Sequence, residues 1–112
     1  MEVQAIERHV RALVGDLPTI AMVYLFGSRA DAGAQVGPLS DYDFAVLLER
    51  GTPADQPAAA FASEMTKALG GARVDVVVLN VAPPELAFAV ISQGRILYER
   101  SVATRVDYEA YV

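Results

Sequence analysis

The run IAMVYLF, Ile20 to Phe26, places seven apolar residues in a row with no charge among them. It is rich in β-formers and is bounded by the turn Asp16-Leu17-Pro18 on one side and Gly27-Ser28 on the other. That combination reads as a buried strand. A buried strand cannot exist alone, so the rest of the chain must supply partners and cover. Tyr42 to Leu48 reads as a second strand, Arg73 to Leu79 as a third buried strand, and Arg95 to Tyr98 as a short fourth.

The segments between them carry helical signals. Val3, Ile6, Val10, Leu13 and Val14 recur at helical spacing, with Glu2, Glu7, Arg8 and Arg11 between them, which predicts a helix over 2–15. Ala58 to Leu69 puts Phe61, Met65 and Leu69 on one stripe and closes at Gly70-Gly71. Pro83-Pro84 opens a helix that runs to about Gln93 and stops at Gly94. Ser101 caps a last helix, and Ser28 caps a short one around 29–33. Residues 34–40 and 51–57 read as loops. Strands alternating with helices predict an α/β fold built on one main sheet.

Length and charge bound the rest. The 112 residues fit a single domain, 1–112, and a composition that is 54% hydrophobic can bury a core. The net charge is −5, Lys67 is the only lysine, and no Lys/Arg cluster is present. This argues against a long nucleic acid as partner. A nucleotide stays compatible, because a metal ion can neutralise phosphates that the protein does not. With no cysteine, disulfides and thiolate metal sites are excluded. The first residues are charged throughout and no apolar run approaches about 18 residues, so the expectation is a cytoplasmic protein with no membrane contact.

Three carboxylates stand where apolar residues are expected. Asp41 and Asp43 flank Tyr42 at the mouth of the second strand, and at i, i+2 they project from one face. Like charges so close repel or share a cation, and oxygen-only ligands favour a hard one such as Mg²⁺. Asp75 interrupts the apolar third strand; if it is buried there, it needs partners. Were the second and third strands neighbours, Asp75 would stand beside the pair. Upstream, Gly27 lets a ligand approach the backbone closely, and Ser28 stands where free N–H groups favour phosphate, with Arg29 next to it. Each piece has a plainer reading: Asp41 as a turn or cap residue, Gly-Ser as a simple turn. Their conjunction is what points to chemistry. His9, the only histidine, lies on the first helix next to Val10 and reads as a surface or interface residue.

These residues resemble the signature of the minimal nucleotidyltransferases of the DNA polymerase β superfamily: Gly-Ser, then Asp-x-Asp, then a third Asp on a later strand. Here they are Gly27-Ser28, Asp41-x-Asp43 and Asp75. More narrowly, LFGSRA, SDYDFAVLL, VDVVVLN and APPELAFAVISQGRILYER are similar to the MntA-type antitoxins, which are encoded beside a HEPN-domain ribonuclease toxin. The likeness covers roughly residues 5 to 108. It implies a polymerase-β-like palm fold, a mixed sheet of about four strands flanked by helices. It also implies transfer of AMP from ATP to a tyrosine hydroxyl of the toxin, with pyrophosphate leaving. Carried over by position, Asp41, Asp43 and Asp75 hold two Mg²⁺ ions and form the catalytic set. Asp75 also helps to activate the acceptor hydroxyl, and Gly27, Ser28 and Arg29 hold the nucleotide phosphates. The implied partners are ATP and the HEPN toxin, with which the chain could form an oligomer.

Other readings compete with this one. An antitoxin that neutralises by binding alone would have no use for three such aspartates. A phospho-accepting receiver wants a late lysine, and Lys67 sits mid-helix. Transfer to a small molecule shares the three-Asp site but normally needs an added domain to hold the acceptor. A protein acceptor, brought by docking, best suits a core of this size.

Overall fold

The computed structural model describes residues 2–27 and 42–112. Among them the elements run α1 (Val3–Val14), β1 (Ile20–Phe26), β2 (Tyr42–Leu48), α2 (Asp55–Ala68), β3 (Val74–Val78), α3 (Pro84–Gln93), β4 (Arg95–Glu99) and α4 (Val102–Tyr111). The strands form one sheet in the order β3-β2-β1-β4. β1 is antiparallel to both β2 and β4, and β2 is parallel to β3, so the sheet is mixed and β2, β3 and β4 run the same way. The expected α/β architecture is borne out. The short helix at 29–33, the loop at 34–40, and Ser28, Arg29 and Asp41 lie outside the described residues.

The apolar run that opened the argument lies in the middle of the sheet, with Ile20 to Leu25 all buried. Two crossovers then place the helices. From β2 to β3 the chain moves towards one edge through α2; from β3 to β4 it moves back across the sheet through α3. A right-handed crossover puts helices of opposite travel on opposite faces. One core accordingly joins Phe61 and Met65 of α2 with Ile6, Val10 and Val14 of α1 and with Tyr42, Phe44, Val46 and Leu48 of β2. The second joins Ala87 and Val90 of α3 with Met22, Tyr24 and Ala45, and Tyr108 of α4 packs against it.

Local chemistry explains the element ends. Ile6, Val10 and Val14 recur every fourth residue and bury the inner face of α1. Gly70 and Gly71 turn the chain out of α2 at φ 70° and 86°, in the left-handed region. Ser101 caps α4, its hydroxyl accepting the Thr104 N–H at 3.1 Å. One boundary and one burial differ from expectation. α2 begins at Asp55 rather than in the Ala cluster, because Pro57 falls in the first turn, where no N–H bond is lost. β3 was expected as a buried strand, yet none of its residues is fully buried, since it is the edge of the sheet.

The far end of the sheet is pinned by Asn80, in a 3-10 turn at Leu79–Val81 that follows β3. Its side chain accepts the Leu48 N–H and donates to the Leu48 carbonyl, both at 2.9 Å. The last backbone groups of β2 are thereby satisfied. Among the described residues no helix is long and apolar enough to cross a membrane.

Candidate functional site

Strand alternation decides which side each acid faces. Tyr42 and Phe44 point into the core beneath α1 and α2, where their rings stack at 6.5 Å and Phe44 meets Phe61 edge-on at 5.4 Å. The residue between them, Asp43, must therefore point to the opposite face, the one that α3 and α4 cover. On β3, Val74 and Val76 pack against the first core and Val77 against the second. Asp75, two residues before Val77, shares Val77's face.

Register then brings the acids together. Asp43 and Asp75 are direct partners in the parallel β2–β3 pairing, and Phe26 is the partner of Asp43 on β1. The Tyr42 N–H donates to the Arg73 carbonyl at 3.1 Å, which ties the entry of β2 to the residue just before β3. Gly27 leaves β1 at φ +72°, and a Cβ built there would lie 2.6 Å from Oδ2 of Asp43. The glycine thus serves two needs at once: a left-handed turn and the space that the Asp43 carboxylate occupies. Sequence reasoning connected Gly27 only to a ligand. Its packing against Asp43 is invisible in sequence, because 16 positions separate them and only the β1–β2 register joins them.

Asp75 corrects one expectation. It is exposed, whereas Asp43 is partly buried. The cause is the sheet edge: β3 has a neighbour on one side only, and Asp75 lies near its start. No desolvation cost has to be met at Asp75, so its place in an apolar strand does not by itself demand a bound cation. The pairing with Asp43 carries that argument instead, since like charges directly opposite on neighbouring strands repel.

Among the described residues no three His, Cys, Asp or Glu side chains form a group that could hold a metal ion. Two members of the expected set, Asp43 and Asp75, are brought side by side; the third, Asp41, lies outside the described residues. The donors that are described are carboxylate oxygens only, and this chemistry fits a hard divalent cation.

Under α4 the structure is polar. The Tyr24 hydroxyl donates to Glu109 Oε2 at 2.8 Å. Burial first, and the Glu109 carboxylate second, hold the Tyr24 phenol far above its ordinary pKa. Burial also raises the pKa of Tyr108, whose buried hydroxyl has no hydrogen-bond partner among the described residues. Arg105 bonds Glu99 at 2.7 Å and pairs with Glu109 at 3.6 Å.

Comparison with known proteins gives two kinds of likeness. The family described as "Polymerase beta, Nucleotidyltransferase" matches residues 9–103. A crystal structure of a toxin–antitoxin with AMP-PNP is similar at 30% identity and a TM-score of 0.67, covering 94% of this chain and 88% of that one. The MntA-HepT toxin–antitoxin is similar at 28% identity and a TM-score of 0.64, with 96% and 88% covered. A tri-AMPylated Shewanella oneidensis HEPN toxin in complex with MNT antitoxin is similar at 25% identity and a TM-score of 0.64, with 99% and 89% covered. No curated protein sequence matches the chain.

Proposed function

This chain belongs to the polymerase β nucleotidyltransferase family, and on that premise we propose that it transfers AMP from ATP to a tyrosine hydroxyl of a HEPN-domain toxin, acting as the toxin's antitoxin. The observation that carries the proposal is the direct pairing of Asp43 with Asp75, with the Asp43 carboxylate packed against Gly27. Two carboxylates held side by side suit a polyphosphate presented with a hard cation. The complexes similar to this chain support the choice of acceptor: one contains a HEPN toxin that carries AMP, another contains AMP-PNP.

In the reaction the acceptor oxygen forms a bond to the α-phosphorus of ATP. The bond from that phosphorus to the α–β bridging oxygen breaks, pyrophosphate leaves and the hydroxyl proton is released. Asp41, Asp43 and Asp75 would hold Mg²⁺, which when bound neutralises the triphosphate and stabilises charge on the oxygens that attack and leave. Asp43, partly buried and packed against Gly27, would be the fixed member of the set. Asp75 is open to solvent, where an incoming hydroxyl meets it and can pass its proton to it. Gly27 and Ser28 would hold the β- and γ-phosphates, with Arg29 assisting at the nucleotide phosphates.

The test is to incubate the chain with Mg²⁺, α-labelled ATP and the product of the neighbouring gene, and to follow the label by intact mass. One or more AMP units on the partner, lost with Asp43→Asn, is the expected result. A stable complex with no label on the partner would overturn the transferase and leave an antitoxin that acts by binding.

A further inference from the structure

Ala72 and Val74 both pack against the first core, so Arg73 between them projects to the opposite face, the one that Asp43 and Asp75 share. Its carbonyl accepts the Tyr42 N–H at 3.1 Å, which fixes its height just beyond the acid pair, at the end of the sheet where Gly27 leaves β1. Arg73 is exposed, and strand rise separates its Cα from that of Asp75 by about 7 Å along the same edge. The other described cations lie elsewhere. Arg8, Arg11 and Lys67 belong to α1 and α2, which cover the other face. Arg95 pairs with Leu25, a residue of the first core, and so faces that way too. Arg50 and Arg100 line a cavity with Leu48 and Asn80 at the far end of the sheet, and Arg105 is bonded to Glu99. Among the described residues Arg73 is therefore the one cation that shares both the face and the end of the sheet with the acid pair.

The side of approach decides what Arg73 meets. Gly27 belongs to β1, and β2 separates it from β3, so Arg73 stands across the site from the end that takes the β- and γ-phosphates. It shares its strand with the exposed Asp75, where the acceptor hydroxyl arrives. A tyrosine brings no anion to that edge. An acceptor that already carries AMP does: its phosphodiester is negative, and both Asp75 and a chain at −5 repel it. A guanidinium is always charged and holds a phosphate through two parallel hydrogen bonds, so it offsets that repulsion and fixes the group in place.

We propose that Arg73 is an acceptor-side binding residue: it holds the phosphate of an AMP already joined to the acceptor, so that the product of one transfer is taken as the substrate of the next. This rests on the transferase reading given under Proposed function and deepens it by naming the acceptor of the later rounds. In such a round a ribose hydroxyl oxygen of the attached AMP forms a bond to the α-phosphorus of a new ATP. The bond from that phosphorus to the α–β bridging oxygen breaks, pyrophosphate leaves and the hydroxyl proton is released. Within the attached AMP the ribose lies between the reacting hydroxyl and the held phosphate, and the separation of about 7 Å between Asp75 and Arg73 leaves room for it.

The test uses the full chain, Mg²⁺, α-labelled ATP and the product of the neighbouring gene, with the number of AMP units on the partner followed over time by intact mass. The wild type is expected to add further units after the first, and peptide mapping should place them in a chain on one residue. Arg73→Ala should keep the first transfer within about twofold of wild type and slow the second about tenfold or more, so that partner with a single AMP accumulates. Arg73→Lys, which keeps the charge, should restore part of the second transfer. Arg95→Ala, at the same end of the sheet but on the other face, should match the wild type. First and later transfers lost equally in Arg73→Ala would overturn the proposal, as would a raised KM for ATP in the first transfer, since the residue would then serve the fold or the nucleotide. An unchanged number of units in Arg73→Ala, a wild type that stops at one unit, or units found on separate residues would overturn it too. Failure of the transferase reading looks different: the wild type then puts no label on the partner, and both readings fall.

Discussion

Gly27→Ala tests the packing of the site more sharply than removing an acid would. Two costs follow from the structure. The first is backbone strain, because Gly27 sits at φ +72°. A left-handed alanine costs about 1–2 kcal/mol, and the lower entropy of its unfolded chain returns about 0.4–1 kcal/mol. The net is roughly 1 kcal/mol, or about 4–8 °C in Tm for a chain of this size. The second cost is local. The new Cβ lies 2.6 Å from Asp43 Oδ2, and ordinary contact begins at 3.4 Å, so the carboxylate must retreat by about 0.8 Å. A displacement of about 1 Å in a reacting constellation lowers the rate about 100-fold. Gly70→Ala separates the two, since Gly70 has φ +70° and nothing within 4 Å of a built Cβ. Both variants should melt lower by similar amounts. Only Gly27→Ala should lose AMP transfer, measured as kcat/KM with labelled ATP and the partner protein. Full activity in Gly27→Ala, or an equal loss in Gly70→Ala, would refute the reasoning.

Three further outcomes are expected. Asp75→Asn should lower AMP transfer by about 100- to 1,000-fold while leaving the fold intact or firmer by about 0.2–1 kcal/mol, because it relieves like-charge repulsion across the β2–β3 pair; activity assays and a denaturant titration on one preparation check both halves. Tyr24→Phe should cost about 1–2 kcal/mol by removing the donor to Glu109. The raised phenol pKa predicts a pH dependence as well: the folded state keeps the Tyr24 proton where the unfolded chain releases it, so this stability is complete below about pH 10 and is lost as pH rises above it, a loss that Tyr24→Phe should reduce in alkaline melts. Asn80→Ala should destabilise the chain by about 1–3 kcal/mol by stranding the Leu48 N–H and carbonyl, with AMP transfer per folded molecule unchanged, because the clamp sits at the end of β2 away from Asp43.

Much of this was legible in the linear chain because the signals are local. An uninterrupted apolar run such as Ile20–Phe26 has no stable place except mid-sheet, and that is where it lies. The repeat Ile6-Val10-Val14 and the stops at Gly70-Gly71 and Gly94 depend on backbone geometry a few residues long, and they mark the ends of α1, α2 and α3 to within a few residues. Asp43 and Asp75 stood out because charge in an apolar strand is conspicuous wherever the strand goes.

Position in the sheet was a different matter. Val74–Val78 is as apolar as a central strand, yet it forms the edge, and Asp75 is therefore exposed. No feature of the pentapeptide distinguishes the two outcomes, because edge or centre depends on which strands arrive next to it. The inward face of α4 was hidden for the same reason: Tyr108 packs on the second core and Glu109 meets Tyr24, while Val102 and Val106 are exposed. Residue types and their spacing determined which segments are strands and helices and which side chains carry charge. Only tertiary structure decided that Gly27 makes room for Asp43, that Asp43 stands opposite Asp75, and which face of α4 meets water, because these are contacts between segments far apart in the chain, set by register and crossover.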